Sequence, residues 1–123
     1  MRIGIISRRD REKALETAKD ISDILKEKYE VYFDDTLIPF FINNKYSSKK
    51  GDVEFLISIG GDGTILKSVR KYKDTPILGV NVGTVGYLSE ISPKEINSLP
   101  HIIENHTIEE RSMISCIIGN RTI

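Results

Sequence analysis

The chain carries no surplus of either charge: its 123 residues hold 18 lysines and arginines against 18 aspartates and glutamates, and the sequence pI is about 6.7. A balanced surface of this kind gives no general attraction to nucleic acid, to a membrane or to a polyanion, so neither nucleic acid nor membrane is expected as a partner. There is one cysteine, Cys116, which excludes an internal disulfide. No Cys/His cluster has the spacing of a zinc site, so no residue is assigned to a structural metal. Long apolar runs are missing as well. The opening MRIGIIS is too short for the hydrophobic region of a signal peptide, and no later stretch approaches the ~18 apolar residues of a membrane span. A cytoplasmic protein is the expectation. Internal repeats and low-complexity tracts are absent.

What is present reads as alternating strands and helices. Residues 3–7 form a short buried strand, after which Ser7 and Asp10 match the S-x-x-D signal of a helix start. Over residues 10–29, Ala14, Leu15, Ala18, Ile21, Ile24 and Leu25 recur at helical spacing with charges between them. Residues 30–33 (EVYF) predict a second strand closed by a polar turn at Asp34-Asp35. The following residues 36–52 have no period and are read as a long loop. Residues 53–59 (VEFLISI) are apolar almost throughout, as expected of a parallel strand covered on both faces. Residues 64–72 then bring Ile65, Leu66, Val69 and Tyr72 to one helical face and Lys67, Arg70, Lys71 and Lys73 to the other. Residues 76–80 predict a fourth strand. Ser92-Pro93 signals a modest helix reaching about residue 105 and broken near Pro100.

This alternation predicts an α/β fold, Rossmann-like, with a mostly parallel open sheet and flanking helices. The end of the chain differs in kind. Residues 111–118 read as a new strand, and Gly119-Asn120 is a hairpin dipeptide whose return strand is unfinished. The expected organisation is therefore an α/β nucleotide-binding domain over residues 1–107 and the start of a truncated β-rich domain over residues 108–123.

Two glycine-rich segments follow predicted parallel strands, GGDGT at residues 60–64 and GVNVGTVGYLSE at residues 79–90. Loops at the carboxyl ends of parallel strands collect ligands, glycines let the backbone approach a phosphate, and a helix N-terminus favours negative charge. Neither the Walker A loop nor the dinucleotide fingerprint can be spelled here, because Leu66 stands where each requires glycine. Asp62, set between Gly61 and Gly63, is the residue that needs explaining. A carboxylate beside a phosphate-binding backbone is unfavourable unless it accepts a proton from an attacking hydroxyl or holds Mg²⁺.

The two segments together resemble the NAD kinases, whose signature is a GGDGT loop followed by a G-V-N-x-G-x-L-G-F-L loop. GGDGT alone also occurs in phosphofructokinases and in diacylglycerol and sphingosine kinases; the pair in this order is far more specific. The resemblance implies ATP- or polyphosphate-dependent phosphorylation of the adenosine ribose 2′-hydroxyl of NAD, giving NADP. It implies Mg²⁺ or another divalent cation as cofactor, NAD and ATP as small-molecule partners, and a homo-oligomer. By position, Asp62 matches the catalytic carboxylate, Gly61, Gly63 and Thr64 the loop at the phosphates, and Lys67 a basic binding position. Asn81 and Gly83 fall in the second loop, and Tyr87 takes the place of its aromatic residue. Thr84 departs from the basic residue of many relatives, and Val85 from a leucine. The family's Asn-Glu pair and much of its NAD pocket belong to a second domain that this chain does not contain, so little or no activity is expected from these residues alone.

Each assignment has an ordinary counterpart. Asp62 also fits a helix cap, and Asn81, Gly83 and Gly86 fit a tight turn. Lys67 fits a solvated helix face, and Tyr87 a core aromatic. His101 and His106 read as surface residues, and Cys116 as a small buried hydrophobe. The rival functions are a non-catalytic nucleotide-binding or assembly module, and a phosphofructokinase-like or lipid-kinase-like phosphotransferase.

Overall fold

A computed structural model describes residues 1–82, 97, 99–101, 103–104 and the backbone of 115–118. The strands are β1 (Arg2–Ser7), β2 (Glu30–Asp34), β3 (Lys45–Ser47), β4 (Phe55–Gly60), β5 (Ile77–Asn81) and β6 (Ser115–Ile118). The helices are α1 (Glu12–Leu25) and α2 (Asp62–Lys71). All six strands join one sheet in the order β3-β2-β1-β4-β5-β6, and every pairing is parallel. This is the doubly wound order, in which the chain moves outward from β1 in one direction and from β4 in the other.

Side-chain alternation along the strands divides the core into two layers. Ile3 and Ile5 of β1, Phe55, Ile57 and Ile59 of β4, and Leu78 and Val80 of β5 are buried with Ala14, Ala18, Ile21 and Leu25 of α1. Leu99 and Ile103 join that layer from the helical residues 99–101 and 103–104. The opposite layer gathers Ile6, Val53, Leu56, Tyr72 and Ile77, with Val69 of α2 packed against it. Period-2 strands and a 3.6-residue helical stripe thus produce a sheet covered on both faces. At β4, Ser58 meets α2, where the buried Ser68 hydroxyl lies 3.1 Å from that of Ser58. Among the described residues, every buried side-chain nitrogen or oxygen has a hydrogen-bond partner.

Several sequence expectations need correction. Helix α1 begins at Glu12 behind an Arg11 N-cap without a side-chain capping bond; Ser7 belongs to β1, its hydroxyl donating to the Arg8 carbonyl, and Asp10 is taken by Arg8. The S-x-x-D signal is therefore not a cap. The helix ends at Leu25, although Tyr29 still packs against the core and donates to Glu104. The expected loop over residues 36–52 contains structure, some of it beginning one residue earlier. Residues Asp35–Leu37 form a 3₁₀ turn, and Lys45–Ser47 makes a short edge strand held by pairing with β2 rather than by any pattern of its own.

Helix α2 starts at Asp62, two residues before the expected start. Leu66, expected on its apolar face, is exposed, because Ser68, Val69 and Tyr72 take the side toward the sheet. Pro100 is itself helical rather than a break. The final strand pairs in parallel with β5 over Ser115–Ile118. Gly86, His106, the helix start at residues 92–93 and the hairpin dipeptide at residues 119–120 lie outside the described residues.

Candidate functional site

The carboxyl ends of β1, β2 and β4 open onto a cleft of about 1110 Å³. It lies where the strand order reverses, between β1 and β4, so the connections leaving these two strands diverge and leave a crevice. Three segments line it: residues 6–10 from the end of β1 and its exit loop, Asp34 at the end of β2 with Thr36 just beyond it, and Gly61, Asp62, Gly63, Thr64, Lys67, Arg70 and Lys71 from α2 and its cap.

The turn from β4 into α2 depends on Gly60. Its φ of +149° lies in the region that favours glycine, and a Cβ there would stand 2.5 Å from the Thr64 hydroxyl oxygen. Gly61 and Gly63 are different, since a Cβ on either would meet nothing within 4 Å. The protein's own packing needs glycine at 60; at 61 and 63 the missing side chains keep the floor of the cleft bare. Gly61 is the N-cap, and its carbonyl accepts from the N–H groups of Thr64 and Ile65, each at 3.1 Å. The N–H groups of Asp62 and Gly63 precede these bonds in the first turn, where an α-helix leaves its donors unpaired and presents its positive end.

Asp62 occupies the first helical position, exposed, with no side-chain capping bond at this terminus. Its charge suits the helix dipole, yet among the described residues no hydrogen bond restrains the carboxylate. Thr64 and Lys67 follow on the same side of α2 and also line the cleft. Asn81 ends β5 in register with Gly60, on the same rim but not among the lining residues. Gly83 and Tyr87 lie outside the described residues.

Sequence reasoning missed the rest of the lining. Arg8 and Arg9 follow β1 at the ligand-binding rim, a position that could have singled them out. Arg8 is bound to Asp10 through contacts of 2.7 and 3.0 Å; the hydrogen bond to the guanidinium pulls the Asp10 carboxyl down to about 2. No comparable signal marked the group at the end of β2. Asp34 is fully buried and accepts from the Thr36 N–H and hydroxyl, from the Tyr72 hydroxyl and from Lys71 at 3.0 Å. Lys71 also reaches Asp35 at 2.7 Å. Because Tyr72 spends its one proton on Asp34, the Ser47 hydroxyl donates to Tyr72 at 2.9 Å.

Burial alone would raise the Asp34 carboxyl, but the Thr36, Tyr72 and Lys71 donors outweigh it and hold it below its ordinary value. For Tyr72 burial and the adjacent carboxylate act together and push the phenol up. Burial would lower the Lys71 ammonium, and its two carboxylate partners more than reverse that. The expected polar turn at Asp34-Asp35 is thus the anchor that joins β2, β3 and the C-terminal end of α2.

Comparison with known proteins gives this arrangement a family. The sequence profile of the ATP-NAD kinase N-terminal domain matches residues 41–108, more than half of the chain. The NAD kinase of Thermococcus sibiricus is 43% identical, covering all of this chain and 48% of that protein. That of Thermococcus gammatolerans is 44% identical over 90% of this chain and 43% of its own length. The chain therefore spans about half the length of the curated relatives it matches. Among solved structures, yeast NADH kinase complexed with NADH has a similar fold, with a TM-score of 0.62 and 22% identity over 89% of this chain and 36% of that one. With its glycine loop at the switch point of a doubly wound sheet and a profile match over most of its length, the chain belongs to the NAD kinase family.

Proposed function

We propose that this chain supplies the phosphate-binding and proton-accepting part of an NAD kinase, which transfers the terminal phosphoryl group of ATP or polyphosphate to the adenosine ribose 2′-hydroxyl of NAD. The observation that carries the reading is Asp62: an exposed carboxylate at the N-terminal end of α2, lining the cleft at the strand-order reversal. As the 2′-oxygen forms its bond to phosphorus, Asp62 takes the hydroxyl proton, and the departing phosphate chain keeps the electron pair of the broken P–O bond. The bare N–H groups of Asp62 and Gly63 and the Lys67 ammonium stabilise charge on the transferred group. Gly61 and Gly63 keep side chains out of its path, and Thr64 offers a hydroxyl at the same end. Asn81, at the end of β5, is assigned to the nucleotide, as are Gly83 and Tyr87.

Mg²⁺ or another divalent cation is assigned to the donor's phosphates. Such an ion would take substrate phosphates and waters as ligands, leaving the Asp62 carboxylate to accept the proton. The cation would neutralise phosphate charge during transfer. A homo-oligomer and a cytoplasmic location complete the proposal; among the described residues no helix is long and apolar enough to cross a membrane. The division at residue 107 is retained as a proposal about domains, with β6 contributing to the same sheet as β5.

The test is NADP formation from NAD, Mg²⁺ and either donor by the protein carrying this sequence. Replacing a general base costs about 10²–10⁴-fold in rate, so Asp62→Asn should lower turnover by at least about 100-fold. Its unfolding midpoint should move little, because the side chain is exposed and makes no capping bond and the lost interaction with the helix dipole is worth about 0.3–1 kcal/mol. Full turnover by the variant would remove Asp62 from the mechanism, and nucleotide binding without any turnover would favour a binding module.

A further inference from the structure

We propose that Arg9 and Arg70, acting with Lys67, form a two-sided seat for the linear phosphate chain of the donor, which runs along α2 from its N-terminus toward the end of β2. This rests on the phosphoryl-transfer reading above and adds the direction of the chain and the residues that grip it.

The charge pattern of the cleft carries the inference. Five cations line it, Arg8, Arg9, Lys67, Arg70 and Lys71, against three carboxylates, Asp10, Asp34 and Asp62. Arg8 is spent on Asp10, and Lys71 on Asp34 and Asp35. Among the described residues Arg9, Lys67 and Arg70 have no side-chain partner, which leaves three open cations facing the open carboxylate of Asp62. A single unpaired surface cation is ordinarily just solvated. Three converging on one concavity from two different elements leave a positive field that a phosphate chain would neutralise.

Their placement gives that field a direction. Lys67 and Arg70 are three residues apart and therefore share one face of α2, while Arg9 stands on the loop leaving β1. Arg70 lies about 12 Å along the axis from Asp62, at ~1.5 Å per residue. The end of β2 supports the same orientation. In a dinucleotide-binding sheet a carboxylate near this position accepts from ribose hydroxyls. Here Asp34 is fully buried and occupied by Thr36, Lys71 and Tyr72, and the ammonium of Lys71 lines the cleft instead. Asp34 is thereby withdrawn as a sugar acceptor, and with Lys71 neutralised by Asp34 and Asp35 the charge left for an anion beside it is that of Arg70.

The test is calorimetric titration of the folded chain with inorganic tripolyphosphate, with ATP and with adenosine. A hydrogen bond to a charged group is worth about tenfold or more in affinity. Arg9→Gln and Arg70→Gln should therefore each weaken tripolyphosphate about tenfold, and the double variant by more than either. ATP should lose less than tripolyphosphate in the double variant, since it keeps its nucleoside contacts, and adenosine should not compete with tripolyphosphate. Arg70→Lys should recover part of the loss, and Lys26→Gln, on the exit of α1 away from the cleft, should lose nothing. Unchanged tripolyphosphate affinity in Arg9→Gln and Arg70→Gln, or no binding to the parent chain, would overturn the seat. Asp62→Asn separates the two readings: a variant that loses turnover but still binds tripolyphosphate leaves the phosphoryl-transfer reading standing even if the arginine variants bind normally.

Discussion

Asp34→Asn should unfold the chain far more readily than its near-identical shape suggests. The carboxylate is fully buried and meets only donors: the Thr36 N–H and hydroxyl, the Tyr72 hydroxyl and the Lys71 ammonium. An amide keeps one oxygen, and at either oxygen position its N–H donors face the Lys71 ammonium, which cannot accept, while the Thr36 or Tyr72 hydroxyl there must give up its donation. Breaking a buried ion pair from one side costs about 3–5 kcal/mol. Lys71 is 30% exposed and keeps Asp35 at 2.7 Å, so the lower end applies, about 3 kcal/mol. At ~2.1 cal/mol/K per residue, the 123-residue chain unfolds with an entropy of about 260 cal/mol/K, and the Tm should fall by about 11 °C.

Urea denaturation followed by circular dichroism measures the difference, with an unchanged slope showing that both proteins unfold from the same compact state. The pH dependence is a second readout. The folded Asp34 carboxyl titrates below its ordinary value, so its contribution is complete above the unfolded pKa and is lost as pH falls through the lower folded one. The gap between parent and variant should be constant from about pH 5 to 8 and narrow below about pH 4. A loss under about 1 kcal/mol at pH 7, within reach of an ordinary neutral hydrogen bond, would show that Asp34 is not the anchor described.

Two glycines of the β4 exit should separate backbone need from ligand need. Gly60→Ala places a Cβ 2.5 Å from the Thr64 hydroxyl oxygen and should cost about 1–3 kcal/mol by thermal melting; a neutral result would mean the turn relaxes freely. Gly61→Ala meets no protein atom within 4 Å and should leave stability within about 0.5 kcal/mol while weakening tripolyphosphate in calorimetry. Ile21, completely buried where α1 meets the sheet, should lose about 2–5 kcal/mol on truncation to Ala, read from urea midpoints.

Much of the architecture was legible because it rests on local periodicity. The stripe of Ala14, Ala18, Ile21 and Leu25 and the apolar runs around Ile5, Ile57 and Leu78 announce a helix and buried parallel strands before any contact is known. The glycines around Asp62 likewise mark a strand-to-helix turn at the ligand-binding rim. Lys45–Ser47 carried no such pattern: three mixed residues become a strand only because β2 offers them hydrogen bonds. Leu66 shows the converse error, since helical spacing names a stripe but not its edges, and packing left this side chain outside.

By itself, then, the sequence determined the alternation of elements, the position of Asp62 among glycines and the family resemblance, all properties of neighbours along the chain. Only the tertiary structure decided which charges of the cleft are free. Lys71 and Arg70 are adjacent and look equivalent in sequence, yet Lys71 is claimed by Asp34, 37 residues away, and Arg70 is left open to the cleft. Electrostatic partnership depends on distance through space and on burial, and neither exists until β2 and the end of α2 are brought together.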